Sequence, residues 1–255
     1  MAQIAGGLME HMTWPEVRDA AAAGLPVVVP MGSTEQHGPH LPLNTDCVIP
    51  VGIALEAARR LPLVVAPPIR FGAMSRPLSG GGESFPGTLS LRASTLIETL
   101  CQVLGGLARA GFRRLCVQNW HFENAAYLWE ACDLAAAAHP DIRILVLEDP
   151  MPEFSAEELA RLFPRGFPGW DVEHASIMET SLMYVLEPGL VRRELIADDQ
   201  AGRHPSWDVV PAPADFIPRS GVLWHPSEAG EEIGRMFFEA GARRLESALR
   251  TEFGL

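Results

Sequence analysis

Short apolar runs and longer segments with helical spacing alternate along most of the chain. Apolar runs that suit buried strands cover residues 25–30, 113–119 and 142–148, and a fourth, at residues 64–71, is interrupted by two prolines. Apolar positions at helical spacing predict helices at residues 14–23, 46–61, 91–111, 124–138, 155–163 and 176–186, followed by a closing helix that ends near residue 250. Strands that alternate with helices predict an α/β fold with a mainly parallel sheet covered on both faces.

The same pattern shows no internal repeat and no change of composition that would mark a linker. We therefore expect one domain that spans residues 1–255. The 47% of hydrophobic residues is enough to build a full core in a chain of this length. Residues 201–218 are rich in proline and predict an irregular but ordered surface loop.

The charge of the chain argues against two classes of partner. The formal net charge is −12. An acidic surface disfavours nucleic acid and anionic membranes, because binding to either needs basic patches. No apolar run approaches the roughly 20 residues of a membrane span, and the N-terminus shows no secretory signal.

The four cysteines form no close pair and no C-x-x-C motif. They are Cys47, Cys101, Cys116 and Cys132. This spacing favours reduced and mostly buried thiols over disulfides or a thiolate metal site. Reduced thiols are typical of the cytoplasm, so we predict a cytoplasmic protein.

Two pairs, each made of an acid and a histidine, follow two of the predicted strands. Glu35 and His37 come after the first strand, and His121 and Glu123 come after a later one. A spacing of two residues would put both members of a pair on the same side of an extended chain. In open α/β sheets, ligands bind beyond the carboxyl ends of the strands, and both pairs are placed there.

Asp46, near the start of the next predicted helix, can turn back toward the same point and complete a set of five nitrogen and oxygen ligands. Any one of these residues alone is more often a capping or hydrogen-bonding group than a ligand, but the repeated pattern indicates a metal site. The lack of thiolates in the set favours Zn²⁺ or Mn²⁺. Five ligands exceed those of a typical catalytic zinc, so we predict two divalent ions that share one carboxylate.

A glycine-rich segment at residues 79–88 reads SGGGESFPGT. It lacks the Gly-Lys-Ser/Thr ending of a phosphate loop, and it does not lie between a clean strand and a helix. Nucleotide binding is therefore disfavoured. A loop whose backbone packs closely against a site is the favoured interpretation.

Four stretches, in order along the chain, resemble the motifs of the creatininase (creatinine amidohydrolase) family. They are EQHGPHLP at residues 35–42 with Asp46, SGGGESFPGT at 79–88, NWHFEN at 119–124, and GWDVEH at 169–174 with ETSLM at 179–183. The resemblance covers most of the chain, from about Thr13 to the closing helix. It implies a three-layer α/β sandwich and a homo-oligomer, since members of the family are commonly homohexamers.

The resemblance also implies roles for the five candidate ligands. Asp46 is expected to bridge two divalent ions, Zn²⁺ or Mn²⁺. Glu35 and His121 would complete one site, and His37 and Glu123 would complete the other. The chemistry is consistent, because a ring amide resists neutral water, whereas divalent ions lower the pKa of a bound water to about 7 and polarise a carbonyl.

A substrate pocket and a proton carrier follow from the same resemblance. His174 is expected to move protons, and Glu173 beside it to hold a guanidinium-like ring by charge-assisted hydrogen bonds. Trp170 can stack on a flat ring, although aromatic residues of this size are often core residues. The residues expected to contact substrate are Ser79, Phe122, Trp170, Asp171 and Glu173.

Three positions depart from the creatininase pattern. Phe122 stands where creatininase has a tyrosine, and Pro150 stands where creatininase has a tryptophan on a loop that closes over substrate. Trp120 replaces the glycine that usually precedes the histidine of the third stretch. These changes leave the predicted ligands intact and alter the wall and lid of the pocket, where substrates are discriminated.

The sequence therefore predicts a dinuclear metal-dependent hydrolase that opens a small cyclic amide, with creatinine to creatine as the leading reaction. The alternative is a member of the same family that acts on another lactam, a formylamino heterocycle or a modified peptide. A protein that binds metal or ligand without turnover is the least favoured, because no ligand position is replaced.

Overall fold

The computed structural model describes residues 7–80, 82–148, 151–199 and 205–255. Five strands in this part of the chain form one sheet in the order β1-β3-β2-β4-β5, and every neighbouring pair is parallel. The strands are β1 Gly7–Leu8, β2 Val27–Met31, β3 Val64–Val65, β4 Arg114–Asn119 and β5 Arg143–Leu147. The short β1 was not predicted, because two residues carry no periodic pattern.

Helices cover both faces of this sheet. They are α1 Trp14–Ala22, α2 Thr45–Ala58, α3 Ala93–Arg109, α4 Ala125–Ala138, α5 Ala156–Leu162, α6 Ile177–Leu186 and α7 Glu231–Phe253. One buried cluster joins Val27 and Val29 to α1, α3 and α4, and a second joins Val28 to α2, α5, α6 and α7. Successive residues of β2 therefore serve opposite cores, as a strand buried on both faces requires. The predicted three-layer α/β sandwich is confirmed.

The segment predicted as a strand at residues 64–71 is shorter in the structure. Only Val64 and Val65 form β3, and Ile69 makes an isolated bridge to Met31. Pro67 and Pro68 separate the two parts, and proline cannot donate to a strand ladder. The other predicted strands and helices agree with the structure to within a few residues at each end.

All four cysteines are free, and Cys47, Cys116 and Cys132 are buried. Burial raises the pKa of Cys47 and of Cys132 to about 12, which disfavours the reactive thiolate. The prediction of reduced and mostly buried thiols therefore agrees with the structure. No helix in the described ranges combines the length and the apolar character needed to cross a membrane.

Candidate metal centre

The loops that follow β2 and β4 leave the sheet side by side, because Met31 and Asn119 are paired neighbours at the ends of these strands. Glu35 and His121 lie on these loops and meet there, with Glu35 Oε1 2.9 Å from His121 Nδ1. Neither acid–histidine pair lies on an extended strand end, which differs from the prediction based on their spacing. β2 ends at Met31, and Glu123 lies in a short 3-10 turn.

Asp46, the second residue of α2, is buried between two imidazoles. Its Oδ1 is 3.0 Å from His37 Nε2, and its Oδ2 is 3.4 Å from His121 Nδ1. This is the position that a carboxylate shared by two ions would need, because each oxygen faces a different histidine.

Close packing of the chain behind Asp46 holds it there. A Cβ atom at Gly32 would lie only 2.2 Å from the backbone oxygen of Asp46, so only glycine fits at that position. In a regular helix the backbone N–H four residues further on would donate to that oxygen. The residue there is Pro50, which has no N–H. The start of α2 therefore packs directly against the residue that follows β2, Gly32.

The second ring nitrogen of each central histidine is held by a backbone carbonyl. His37 Nδ1 is 3.2 Å from the oxygen of Glu35, and His121 Nε2 is 2.9 Å from the oxygen of Ala73. A ring N–H that donates to a carbonyl fixes the tautomer and turns the other nitrogen toward a metal. His37 thus offers Nε2 to the centre, and His121 offers Nδ1.

Glu179, the third residue of α6, is a buried acid that the sequence analysis did not identify as a ligand. Its Oε2 is 3.4 Å from His37 Nε2 and accepts a hydrogen bond of 2.7 Å from the backbone N–H of Ala175. The signal was present, because Glu179 is the one carboxylate in the apolar run of α6. Its distance in sequence from the other candidates concealed its role.

Glu123 lies beside His121 and not beside His37, the residue with which the family resemblance pairs it. Its Oε2 is 3.6 Å from His121 Nε2, while its Oε1 accepts hydrogen bonds from Ser79 Oγ and from the backbone N–H of Arg76. Glu179, and not Glu123, stands beside His37 in the structure. The ligand roles themselves remain predictions.

Three groups of side chains in the described residues bring their possible ligand atoms within 4.8 Å of one another. The groups are Glu35 with Asp46 and His121, His37 with Asp46 and Glu179, and Glu35 with His37 and His174. Asp46 belongs to the first two. The first group reproduces one predicted site in full, and the second matches the other predicted site with Glu179 in place of Glu123.

The donor atoms fit divalent cations. His37 Nε2 and Asp46 Oδ2 are buried and make no hydrogen bond to any described residue, although charged neighbours lie within 3.4 Å of each. Buried polar atoms normally have a partner, so these two atoms, one in each candidate group of ligands, fit the role of cation ligands. A set of carboxylate oxygens and imidazole nitrogens suits Zn²⁺ or Mn²⁺.

Opposite charges compensate one another in this centre. Burial disfavours the charged forms of His37 and His121, but the neighbouring carboxylates outweigh it and hold the pKa of both imidazoles well above the usual range. Burial likewise opposes ionisation of Glu35, Asp46 and Glu179, yet the facing histidines lower the pKa of each carboxyl. The charged residues therefore stabilise one another in the absence of metal.

His174 is buried at the edge of the centre and is held in place by Gln36. Its Nδ1 is 3.8 Å from Glu35 Oε1, and its Nε2 is 2.9 Å from the side-chain amide nitrogen of Gln36. The same nitrogen of Gln36 contacts the backbone oxygens of Gly80 and Gly221 at 2.6 and 2.9 Å. No role for Gln36 is predicted from the sequence.

A cavity of about 380 Å³ opens above the centre. It lies near the lower end of the usual range for small-molecule sites. The predicted site residues that line it are Glu35, Asp46, Ser79, His121, Phe122, Glu123, Trp170, Asp171, Glu173 and His174. His37 does not line this cavity and is fully buried behind it. One space therefore brings together the predicted substrate-binding residues and most of the predicted ligands.

Two walls of the cavity differ in character. The Trp170 ring packs against Phe154, Phe163 and Phe167, so it serves both the core and the pocket. Phe122 is half exposed, and the guanidinium of Arg76 lies 5.7 Å from the centre of its ring.

Glu173 supplies a buried carboxyl to the same cavity. Its Oε2 accepts a hydrogen bond of 3.0 Å from the backbone N–H of Met178, while its Oε1 has no hydrogen-bond partner among the described residues. Burial raises the pKa of Glu173 well above its usual range.

The predicted lid position falls at Asp149 and Pro150, which lie outside the described residues. The residues on either side, Glu148 and Met151, both line the cavity. The backbone oxygen of Met151 accepts a hydrogen bond from Arg244 of α7.

The fold and the site together define a class of protein, the three-layer α/β proteins with a candidate two-metal centre at the carboxyl edge of a parallel sheet. Residues 10–249 match the family model Creatininase, described as creatinine amidohydrolase. The chain belongs to the creatininase family, as the resemblance of its motifs had implied.

Proteins with different activities are similar to this chain. A creatinine amidohydrolase of Pseudomonas putida is 35% identical over 255 residues, which are 95% of this chain and 96% of that protein. A mycofactocin precursor peptide peptidase of Mycobacterium tuberculosis is 33% identical over 245 residues, 88% of this chain and 86% of that protein. A solved creatininase variant of Zn–Zn type is 34% identical, with a TM-score of 0.90, and the match covers 96% of this chain and 98% of that one.

Proposed function

We propose that this protein is a dinuclear metal-dependent amidohydrolase that opens a small cyclic amide, with creatinine as substrate and creatine as product. One observation carries the proposal: Asp46 is shared by two groups of buried ligand atoms at the base of a cavity. The similarity to the creatinine amidohydrolase of Pseudomonas putida, which extends over 95% of this chain, supports this substrate.

Two sets of side chains would hold the ions. Glu35, Asp46 and His121 would bind the first ion, and His37, Asp46 and Glu179 the second. Glu123 belongs to neither set, because it lies beside His121 Nε2, the ring nitrogen that contacts the Ala73 oxygen and not the centre. When bound, two divalent ions supply Lewis acidity, which lowers the pKa of a water and polarises a carbonyl. The Zn–Zn type of the similar creatininase supports zinc, and the donor atoms also allow Mn²⁺.

The remaining residues of the cavity bind the substrate and move a proton. His174 faces the centre through Nδ1, where a proton can be passed to the nitrogen that leaves when the ring opens. Glu173 has one oxygen without a partner in the part of the chain that the structure describes, and this oxygen can accept a hydrogen bond from an N–H of the substrate. Trp170 offers a flat face for stacking, and Ser79 and Asp171 line the same space.

A second candidate keeps the chemistry and changes the substrate. Phe122 cannot donate the hydrogen bond that a tyrosine would provide, and this favours another lactam, a formylamino heterocycle or a modified peptide. The peptide peptidase of Mycobacterium tuberculosis, similar over 88% of this chain, supports such a change within the family.

A substrate panel with zinc-loaded protein tests the proposal. It should include creatinine, a lactam without a guanidine-like group, a formylamino heterocycle and a short peptide. We expect creatinine to have the highest kcat/KM and to saturate at millimolar concentration or below. The Asp46→Ala variant, purified identically, controls for contaminating enzymes. A higher kcat/KM for another compound of the panel would make that compound, and not creatinine, the preferred substrate. Absence of turnover for every amide would contradict the proposed function.

Location and assembly are part of the same proposal. The free cysteines support a cytoplasmic protein, because thiols stay reduced there. The family resemblance supports a homohexamer, and light scattering of the purified protein would measure its mass. A monomeric mass would contradict the hexamer without affecting the proposed chemistry.

A further inference from the structure

Trp120 connects the two halves of the candidate centre. It immediately precedes His121, and its backbone N–H donates a hydrogen bond of 2.8 Å to the oxygen of Met31 at the end of β2. Its side chain is 6% exposed and belongs to the core that contains α6 and α7. The indole N–H donates a hydrogen bond of 3.1 Å to Glu179 Oε1.

The two oxygens of Glu179 have separate partners. Oε1 accepts from Trp120, whereas Oε2 accepts from the backbone N–H of Ala175 and faces His37 Nε2 at 3.4 Å. Two donors on different oxygens fix both the position and the rotation of a carboxylate. Hydrogen bonds to a charged, buried acceptor are also stronger than those between neutral groups.

We propose that Trp120 is a positioning residue that orients Glu179 toward the second metal ion. The inference rests on the proposed function, because it assigns the indole N–H a task within that metal centre. Outer partners of this kind orient a ligand, and their loss typically lowers metal affinity by about 10- to 100-fold. Trp120 departs from the family pattern, and its indole N–H thus has a structural role at the site.

The Trp120→Phe variant tests this role, because it retains an aromatic ring and removes the N–H. Metal-free protein would be titrated with Zn²⁺ against a chromogenic chelator, which gives the affinity of each ion. We expect one ion to bind about 10- to 100-fold more weakly, and the other to change less than about twofold. With Co²⁺ in place of zinc, the visible spectrum should change for the weakened site alone.

Trp224→Phe is a matched control. The Trp224 indole N–H is also buried, but it has no hydrogen-bond partner in the described part of the chain. The same substitution there should leave both affinities within about twofold of the parent protein. If Trp224→Phe weakens metal as much as Trp120→Phe, loss of an indole is a general structural effect, and the inference is wrong.

A second comparison separates positioning from packing. In a Glu179→Ala background the indole N–H has no carboxylate to orient. Adding Trp120→Phe there should leave the affinity of the retained ion, and any residual affinity of the weakened site, within about twofold. If the Phe variant does not fold, benzothienylalanine at position 120 keeps the shape of the indole and removes only the N–H.

Unchanged affinities in the Trp120 variant, with two ions still bound by the parent protein, would overturn the inference and leave the proposed function intact. The inference would also be overturned if Trp120→Phe lowered metal affinity in the Glu179→Ala background by the same factor as in the parent protein. A parent protein that binds fewer than two ions would overturn both.

Discussion

Asp46 is buried between His37 and His121, and each of its oxygens faces a different imidazole. Its charge is tolerated there because these histidines lower the pKa of its carboxyl against the effect of burial. A carboxylate with this surrounding can serve two cations at once, and neither group of ligands is complete without it. The proposed chemistry therefore depends on Asp46, the residue that these two groups of ligands share.

The identity of the second acid at the His37 site can be tested with a matched pair of variants. Glu179→Gln should retain about one ion per chain, because a neutral amide is a weaker ligand, whereas Glu123→Gln should retain about two. Elemental analysis of the purified variants measures this directly. The pairing inferred from the family resemblance, His37 with Glu123, requires the opposite result.

His174→Ala should keep both ions and lower kcat by about 10²- to 10⁴-fold, the usual effect of removing a positioned proton carrier. Metal analysis and steady-state kinetics on the same preparation check both parts. His174 lies close enough to Glu35 and His37 to be a third ligand. Loss of an ion from this variant would assign it that role and remove it from proton transfer.

The sequence identified most of the central residues because they occur as short motifs. Glu35, His37 and His121 stand beside other polar residues directly after strands, and that pattern is visible without coordinates. Glu179 and Gln36 were not assigned because their roles depend on contacts between distant segments. α6 packs against α2, and Glu179 on α6 lies 3.4 Å from His37 in the loop before α2, a distance that no local spacing encodes.

At the scale of elements, the site depends on how closely α2 approaches the end of β2. Gly32 permits this approach, since any side chain there would collide with the backbone oxygen of Asp46. The sequence predicted both elements and the position of Asp46 near the start of its helix. It could not show that Gly32 is a packing glycine, because glycine after a strand is equally typical of a turn.

Gly32→Ala should therefore destabilise the protein and disturb the metal centre together. Overpacking of this kind costs about 1–3 kcal/mol in the free energy of unfolding, and metal affinity should fall because Asp46 moves. Gly106→Ala in α3 is the control. Its new Cβ would lie 3.8 Å from the nearest atom, Arg109 Nη2, so we expect stabilisation of about 0.5–1 kcal/mol. Urea unfolding of both variants and zinc titration give the comparison. Equal stability of the two variants would contradict the packing role of Gly32.

At the scale of the whole molecule, the order of strands and helices was enough to predict the architecture. Alternating strands and helices favour a parallel sheet with two covered faces, and the structure has both. The sheet order, with β2 between β3 and β4, was not predicted, although it places two functional loops side by side. Substrate choice is harder to predict still, because it depends on pocket walls such as Phe122 and on the segment that contains Asp149 and Pro150, which lie outside the described residues.

The central claim is that amide hydrolysis by this protein requires two divalent ions held around Asp46. The most direct test adds Zn²⁺ in steps to metal-free protein and measures the conversion of creatinine to creatine at each step. We expect activity to rise until about two equivalents of zinc are bound and then to stay constant, with no activity at any step in Asp46→Ala. Full activity at one equivalent, or turnover by the metal-free protein, would contradict the account.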